Sequence, residues 1–146
     1  MCPTGLSALY KTVNGMTMTI AEVSEKFDLS QDTLRYYERI GLIPPVNRNK
    51  SGFRHYTEED CKWIDFIKCM RQSAGLPVEM LIEYVALFQQ GDDTLITRKE
   101  LLIEQRNQLA AKIEEMTKTL MRLDDKIVRY EQTIVKKEKT LRTPAT

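Results

Sequence analysis

Histidine and cysteine are scarce in this chain of 146 residues, with one His at position 55 and Cys only at 2, 61 and 69. That shortage excludes most metal and nucleophile chemistry. A zinc site draws on these residue types for its ligands, and an iron–sulfur cluster takes about four cysteines. No Gly-rich phosphate loop, Ser/His/Asp arrangement or evident pair of facing carboxylates is present either. Neither an enzyme nor a resident cofactor or metal is therefore expected. An odd number of widely spaced cysteines does not make a disulfide framework. Cys61 and Cys69 stand too far apart on one predicted helix to bond to each other. No apolar run approaches the roughly 20 residues of a membrane span. Residues 1–15 lack a basic start followed by an apolar core, so no secretory signal is read. Residues 1–17 are expected to be a disordered leader, with Met16 or Met18 as alternative starts, and the expected setting is the cytoplasm.

A second absence is local. From Arg39 to Thr57 there is no Asp or Glu, while Arg39, Arg48, Lys50 and Arg54 fall in that span together with Phe53 and Tyr56. The whole chain carries a formal charge of only +1, so this asymmetry means more than the total. The stretch Leu29–Tyr56 reads as a short helix, a corner and a basic hairpin. Ser30 is a good N-cap, Gln31–Ile40 the helix, Gly41 its left-handed end, and Pro44-Pro45 a block to further helix. Ser51-Gly52 signals the hairpin turn. Before it, Met18–Phe27 is a predicted helix. Thr19 and Glu22 have capping-box spacing, and Ile20, Val23 and Phe27 form its apolar stripe. The turn between the two suits only a compact helix-turn-helix. The second helix of such a unit reads a DNA major groove, and a neighbouring hairpin lays cations on the phosphates. A solvated basic loop with two core aromatics is the plainer alternative.

Thr57 begins a third helix, with Glu58, Glu59 and Asp60 at the positive end of its dipole and Trp63, Ile64, Ile67 and Met70 on its apolar face. Gly75 stops it. Pro77 opens a fourth helix, apolar through Met80, Leu81, Tyr84, Val85, Leu87 and Phe88, which Gly91 ends.

Beyond it there is no Gly or Pro between Asp92 and Pro144. Leu95, Leu102, Leu109, Met116, Leu123 and Tyr130 recur every seven residues, with Ile113, Leu120, Ile127 and Ile134 filling the second seam position. That is coiled-coil patterning. A helix of about 45 residues is about 65–70 Å long, too long for a small upstream domain to cover, and the simplest partner is a second copy. Lys99 and Arg106 interrupt the early seam, so its start is expected to pack on the fourth helix. The fold class expected is all-α with a small β-hairpin wing. Residues 18–91 form a winged helix-turn-helix domain, residues 92–141 a dimerisation helix, and residues 142–146 a disordered tail.

The residues TLRYYERIGLIPP and GFRHYTEED, in this order and spacing, resemble the MerR family of transcriptional regulators. The resemblance runs from Met18 to about Gly91, and the helical tail agrees in kind. It implies homodimers joined by an antiparallel coiled coil and bound to double-stranded DNA, at an inverted-repeat operator inside a promoter. Such dimers bend and untwist the duplex, so that the −35 and −10 elements face RNA polymerase, which they affect only through the promoter. Holding that deformation costs on the order of 1–10 kcal/mol. By motif position the resemblance places Arg35 and Tyr36 on DNA. Tyr37 either assists or packs under the hairpin. Thr19 either caps its helix or holds a phosphate at the helix N-terminus. Thr33 is a further candidate for a base contact. Arg48, Arg54 and Tyr56 are the candidates for flanking phosphates, and Lys50 steers.

Residues 93–146 contain no Cys or His, which argues against the thiolate metal sites of metal-sensing relatives. Thiol chemistry remains. Cys69, in FIKCMR, resembles the single cysteine of the subgroup that answers reactive aldehydes, other electrophiles and nitrosative stress, and the adjacent Lys68 and Arg71 favour a thiolate. Cys61, beside acidic residues, is the weaker candidate, and Cys2 is set aside. The alternatives are an inert buried cysteine, a simple repressor, and a sensor of a small ligand in a pocket near Tyr84 and Phe88.

Overall fold

The computed structural model describes residues 17–142. Apart from Thr17 and Arg142, the leader and tail expected from the sequence lie outside the described residues, as does Cys2. The chain divides at Ile103/Glu104 into two units.

The first unit begins with α1 (Ile20–Phe27). Thr19 caps it: the Thr19 hydroxyl accepts from the Glu22 amide at 3.2 Å, and the Thr19 amide donates to the Glu22 carboxylate at 3.0 Å. Met18, expected inside this helix, instead pairs with Tyr56 through two backbone hydrogen bonds of 2.9 and 2.8 Å. Capping requires a non-helical residue ahead of the first turn, so with Thr19 as the cap the helix begins at Ile20, two residues later than the Met18 start expected. Asp28 takes the left-handed conformation at the end of α1, with φ 52°, a state Asp tolerates better than most residues.

Ser30 then caps α2 (Gln31–Ile40), its hydroxyl accepting from the Thr33 amide at 3.0 Å. Gly41, at φ 86°, closes α2. A helix α3 (Glu58–Gln72) starts on a Thr57–Asp60 capping box, and α4 (Val78–Gln90) follows Pro77. These helices enclose one core. Val23, Leu34, Leu42, Ile43, Ile64, Ile67 and Leu81 are almost fully buried there, each worth about 1.5–3 kcal/mol relative to exposure. Trp63 and Phe66, with Leu101 and Leu102 from further along the chain, pack on its edge.

Between α2 and α3 the expected β-hairpin wing is not present as strands among the described residues. Asn47–His55 folds back through one isolated antiparallel bridge between Arg48 and Arg54. The His55 amide donates to the Asn47 carbonyl at 2.9 Å and the Asn49 amide to the Phe53 carbonyl at 2.8 Å. The segment is too short for a longer ladder, because Pro44 and Pro45 precede it and the Met18 pairing takes Tyr56.

After a 3-10 turn (Asp92–Thr94), α5 runs from Leu95 to Arg142. At its start Thr94 and Arg98 are buried. The Thr94 hydroxyl donates within reach of the Leu87 and Gly91 carbonyls, both at 2.7 Å, and Arg98 donates to the Thr94 hydroxyl at 3.0 Å. The second unit is the remainder of α5, whose residues from Ala110 onward are all exposed. No described helix is long and apolar enough to cross a membrane.

Candidate nucleic-acid interface

The N-cap of α1, the outer face of α2 and the folded-back segment surround a groove of about 320 Å³ in the first unit. Thr19, Arg35, Arg48 and Arg54 line it together with Phe53 and His55. Three arginines from two parts of the chain, α2 and the folded-back segment, thus line one concavity. The segment supplying two of them contains no carboxylate.

The three arginines are held differently. Arg35 donates to Asp32 at 3.0 Å and to Gln31 at 3.3 Å. Asp32 is almost fully exposed, and exposed pairs of this kind contribute little, so Arg35 can exchange its partner for a phosphate at small cost. Arg48 is exposed and donates to the Gly52 carbonyl at 2.9 Å, which leaves the rest of its fork open. Arg54 is bound more firmly. Its Nε donates to Glu38 at 2.7 Å with both side chains less than one-fifth exposed. The other oxygen of Glu38 accepts from the Val46 amide at 3.1 Å. Glu38 therefore fastens the segment to α2, and Arg54 acts as a brace at the groove wall.

The turn itself is pinned by Asn49. Its side-chain oxygen accepts from the amides of Ser51 and Phe53, both at 3.0 Å. Gly52, at φ 83°, supplies the left-handed residue that the turn requires.

The other expected contacts separate into two sets. Tyr36 is exposed on α2, with the Arg39 guanidinium 5.5 Å from its ring centre. Thr33 is half-buried in the first turn, its hydroxyl 2.8 Å from that of Ser30. Tyr37 and Tyr56 are core residues. Tyr37 is buried beside Leu34, and Tyr56 is sealed at 0% exposure. Burial pushes both hydroxyls above their ordinary value of 10.0. A helix turns about 100° per residue, so Tyr37, three residues after Leu34, shares its buried face while Tyr36 is rotated away from it. The Met18 pairing draws Tyr56 inward. Tyr37 thus takes the packing alternative left open for it, whereas Tyr56, expected at the flanking phosphates, is turned into the core instead. Sequence reasoning also passed over Glu38 and Asn49. The only signal for Asn49 was the preference of Asn for turns two residues ahead, and nothing local marked Glu38.

The cysteines also separate. Cys61 is fully buried on α3, and burial raises its thiol to about 11. Cys69 is half-buried on the same helix and is disulfide-bonded in this structure, where the sequence points to a reduced thiol. Lys68 donates to the Phe27 carbonyl and Arg71 to the Leu76 carbonyl, so both adjacent cations are engaged with backbone. Near them, Trp63, Phe66, Tyr84 and Phe88 line an open cleft of about 200 Å³.

Comparison with known proteins fits this architecture. Residues 18–87 match the MerR HTH family regulatory protein model. The chain is 59% identical over 92 residues to the HTH-type transcriptional regulator AdhR of Bacillus subtilis (strain 168), an alignment covering 63% of this chain and 65% of AdhR. A MerR family transcriptional regulator of Listeria monocytogenes has a crystal structure with TM-score 0.80 and 49% identity, over 85% of this chain and 93% of that one. HiNmlR, a MerR family regulator lacking the sensor domain and solved bound to promoter DNA, matches with TM-score 0.73 and 30% identity, over 82% of this chain and 94% of that one. With a helix-turn-helix of this build and relatives this similar along most of their length, the chain belongs to the MerR family of DNA-binding transcriptional regulators.

Proposed function

We propose that the chain works as a homodimer on an inverted-repeat operator within a promoter and distorts the duplex between the −35 and −10 elements, acting on RNA polymerase through the DNA alone. The observation that carries this reading is the groove joining Arg35, Arg48, Arg54 and Thr19 beside the exposed face of α2. Arg35, Tyr36 and Thr33 meet the major groove. Arg48 follows the flanking phosphates, with the Asn47–His55 segment serving as the wing. The exposed seam of α5 supports the dimer, because Ile113, Leu120 and Ile127 stand at coiled-coil spacing and are each more than half exposed. In the reading we favour, the signal is electrophile modification of Cys69, as the resemblance of FIKCMR to the single-cysteine subgroup implies. The disulfide occupies that sulfur, so the reduced chain is the form that meets the electrophile.

A gel-shift salt series tests the DNA side: affinity for a selected duplex should fall steeply with salt, and Arg35→Ala with Arg48→Ala should abolish the preference for it. Transcription from that duplex under aldehyde tests the signal, and a Cys69→Ser chain that responds as well as the parent removes Cys69. The cleft between Trp63, Phe66, Tyr84 and Phe88 favours a second reading, a sensor of a small apolar ligand. Aldehyde-independent induction lost in Tyr84→Ala would select it.

A further inference from the structure

Phe53 is out of place by the ordinary rules of folding. Its ring is 71% exposed at the tip of a turn, where a polar residue would cost nothing. The turn is not loose. Asn49 holds the Phe53 amide from its side chain and the Phe53 carbonyl from its backbone, and Arg48 holds the Gly52 carbonyl. A large apolar ring is thus presented on a fixed mount, on the rim of the groove that Arg48 and Arg54 line.

Phenylalanine has no donor or acceptor, so it cannot read a base edge by hydrogen bonding. It can fill space. When a reader helix lies in the major groove, a hairpin beside it meets the adjacent minor groove, which is about 6 Å wide. Apolar side chains inserted there partly unstack a base step and bend the duplex, and arginines favour the potential of a narrow groove. A ring mounted on a fixed turn beside the open fork of Arg48 matches both requirements. Resting on the DNA-regulator reading above, we propose that Phe53 is a wedge that enters the minor groove flanking α2, opens a base step there, and so couples binding to the deformation of the duplex. Arg48 supplies the charge that places the tip, and Phe53 supplies a contact that salt does not screen.

The test uses the full-length chain and a duplex it has itself selected from a randomised pool, with 2-aminopurine placed at the flanking base steps. The parent should raise 2-aminopurine fluorescence on binding. Phe53→Ala should lose that signal and bind about tenfold more weakly, with an unchanged slope of affinity against salt. Phe53→Tyr, which keeps the ring, should retain the signal and bind within about twofold of the parent. By contrast, Arg48→Ala should lower the salt slope by about one. The ring is not in the core, so Phe53→Ala should melt with the parent. The wedge is overturned if the parent leaves the flanking fluorescence unchanged, or if Phe53→Ala binds as the parent does. It is also overturned if the loss is as large on the single strand as on the duplex, which would mean base stacking on unpaired nucleic acid. A parent that prefers no duplex removes the regulator reading and the wedge together.

Discussion

The two units of this chain use apolar residues in opposite ways. In the first, Leu81 is sealed at 0% exposure, and in the second Leu120 stands at 58% and Met116 at 72%. The first unit closes its core with residues from four helices and the segment between them. The second is a single helix whose leucines, isoleucines and methionines touch little of their own chain. Propensity explains part of its helicity, since it has no Gly or Pro. Helical stability in proteins comes mostly from packing of an apolar face, however, and this seam has nothing to pack on in one copy. The contrast separates an element that closes its own core from one whose seam, in the reading proposed above, is completed by a second copy.

The largest effect should come from attacking that pattern. Leu120→Asp combined with Ile127→Asp places two carboxylates in the seam and leaves the core of the first unit untouched. Each lost apolar burial is worth about 1.5–3 kcal/mol per chain, so the dimer dissociation constant should rise at least about a thousandfold. Sedimentation would show a monomer at concentrations where the parent is a dimer, and affinity for an inverted repeat would collapse with it. A double variant that sediments as the parent does would show that the seam is not the joint.

Leu81→Ala strikes the other unit and should lower stability by about 2–5 kcal/mol through the cavity it opens. The two variants are told apart by concentration. The urea midpoint of Leu81→Ala should drop at every protein concentration, whereas a seam defect is a mass-action effect and shrinks as concentration rises. A smaller, purely functional change is expected from Arg48→Ala. It should weaken duplex binding about tenfold at low salt and leave the unfolding free energy within about 0.5 kcal/mol of the parent. Arg54→Ala should behave differently, because it strands the half-buried Glu38 carboxylate; stability and binding fall together.

Those expectations show where the sequence was readable. Ser30, Thr19, Thr57 and Gly41 are local signals: each is satisfied within one helical turn, so spacing alone finds them. The seam is equally legible because a heptad needs no tertiary information. Of the two alternatives left open for Tyr37, packing was the one the pattern favoured, since Leu34 and Tyr37 are three apart and share the buried face of α2. What could not be read depends on residues far apart in the chain. The Met18–Tyr56 pairing and the Arg54–Glu38 ion pair join segments with no common pattern. They decide which hairpin residues face the groove and which turn into the core. The groove itself was anticipated as a list of cations, and only the fold shows that Thr19, Arg35 and Arg48 share it while Tyr56 does not.

Alkaline pH should also act on the first unit. Burial raises Cys61 from an ordinary 9.0 to about 11, so between those values the unfolded chain has released a proton that the folded chain keeps. Stability therefore falls as pH rises across that window. Tyr37 and Tyr56, raised above 10.0 by burial, add to the loss in the same direction. A urea series from pH 8 to 11 should show a falling midpoint, and Cys61→Ala, after allowance for its own constant cost, should flatten the early part of the fall.

The smallest effect concerns the two roles left open for Thr19. Hydrogen bonds from the Thr19 amide and hydroxyl region hold the Glu22 carboxyl below its ordinary 4.5. A lowered carboxylate stabilises the fold above its unfolded value, and that contribution is lost as pH falls through the folded one. The cap should thus weaken only below about pH 4.5, and Glu22→Gln should remove that acid dependence without moving the neutral midpoint much. Thr19→Ala should cost about 0.5–2 kcal/mol at neutral pH as a lost N-cap, and Thr19→Ser should restore it. DNA binding then decides between the roles. The amide of Thr19 already donates to Glu22, so a phosphate on that amide would have to displace the carboxylate. If capping is its whole role, Glu22→Gln leaves duplex affinity within about twofold of the parent. A clear gain in affinity on removing that charge would instead place a phosphate at the α1 N-terminus and make Thr19 part of the interface.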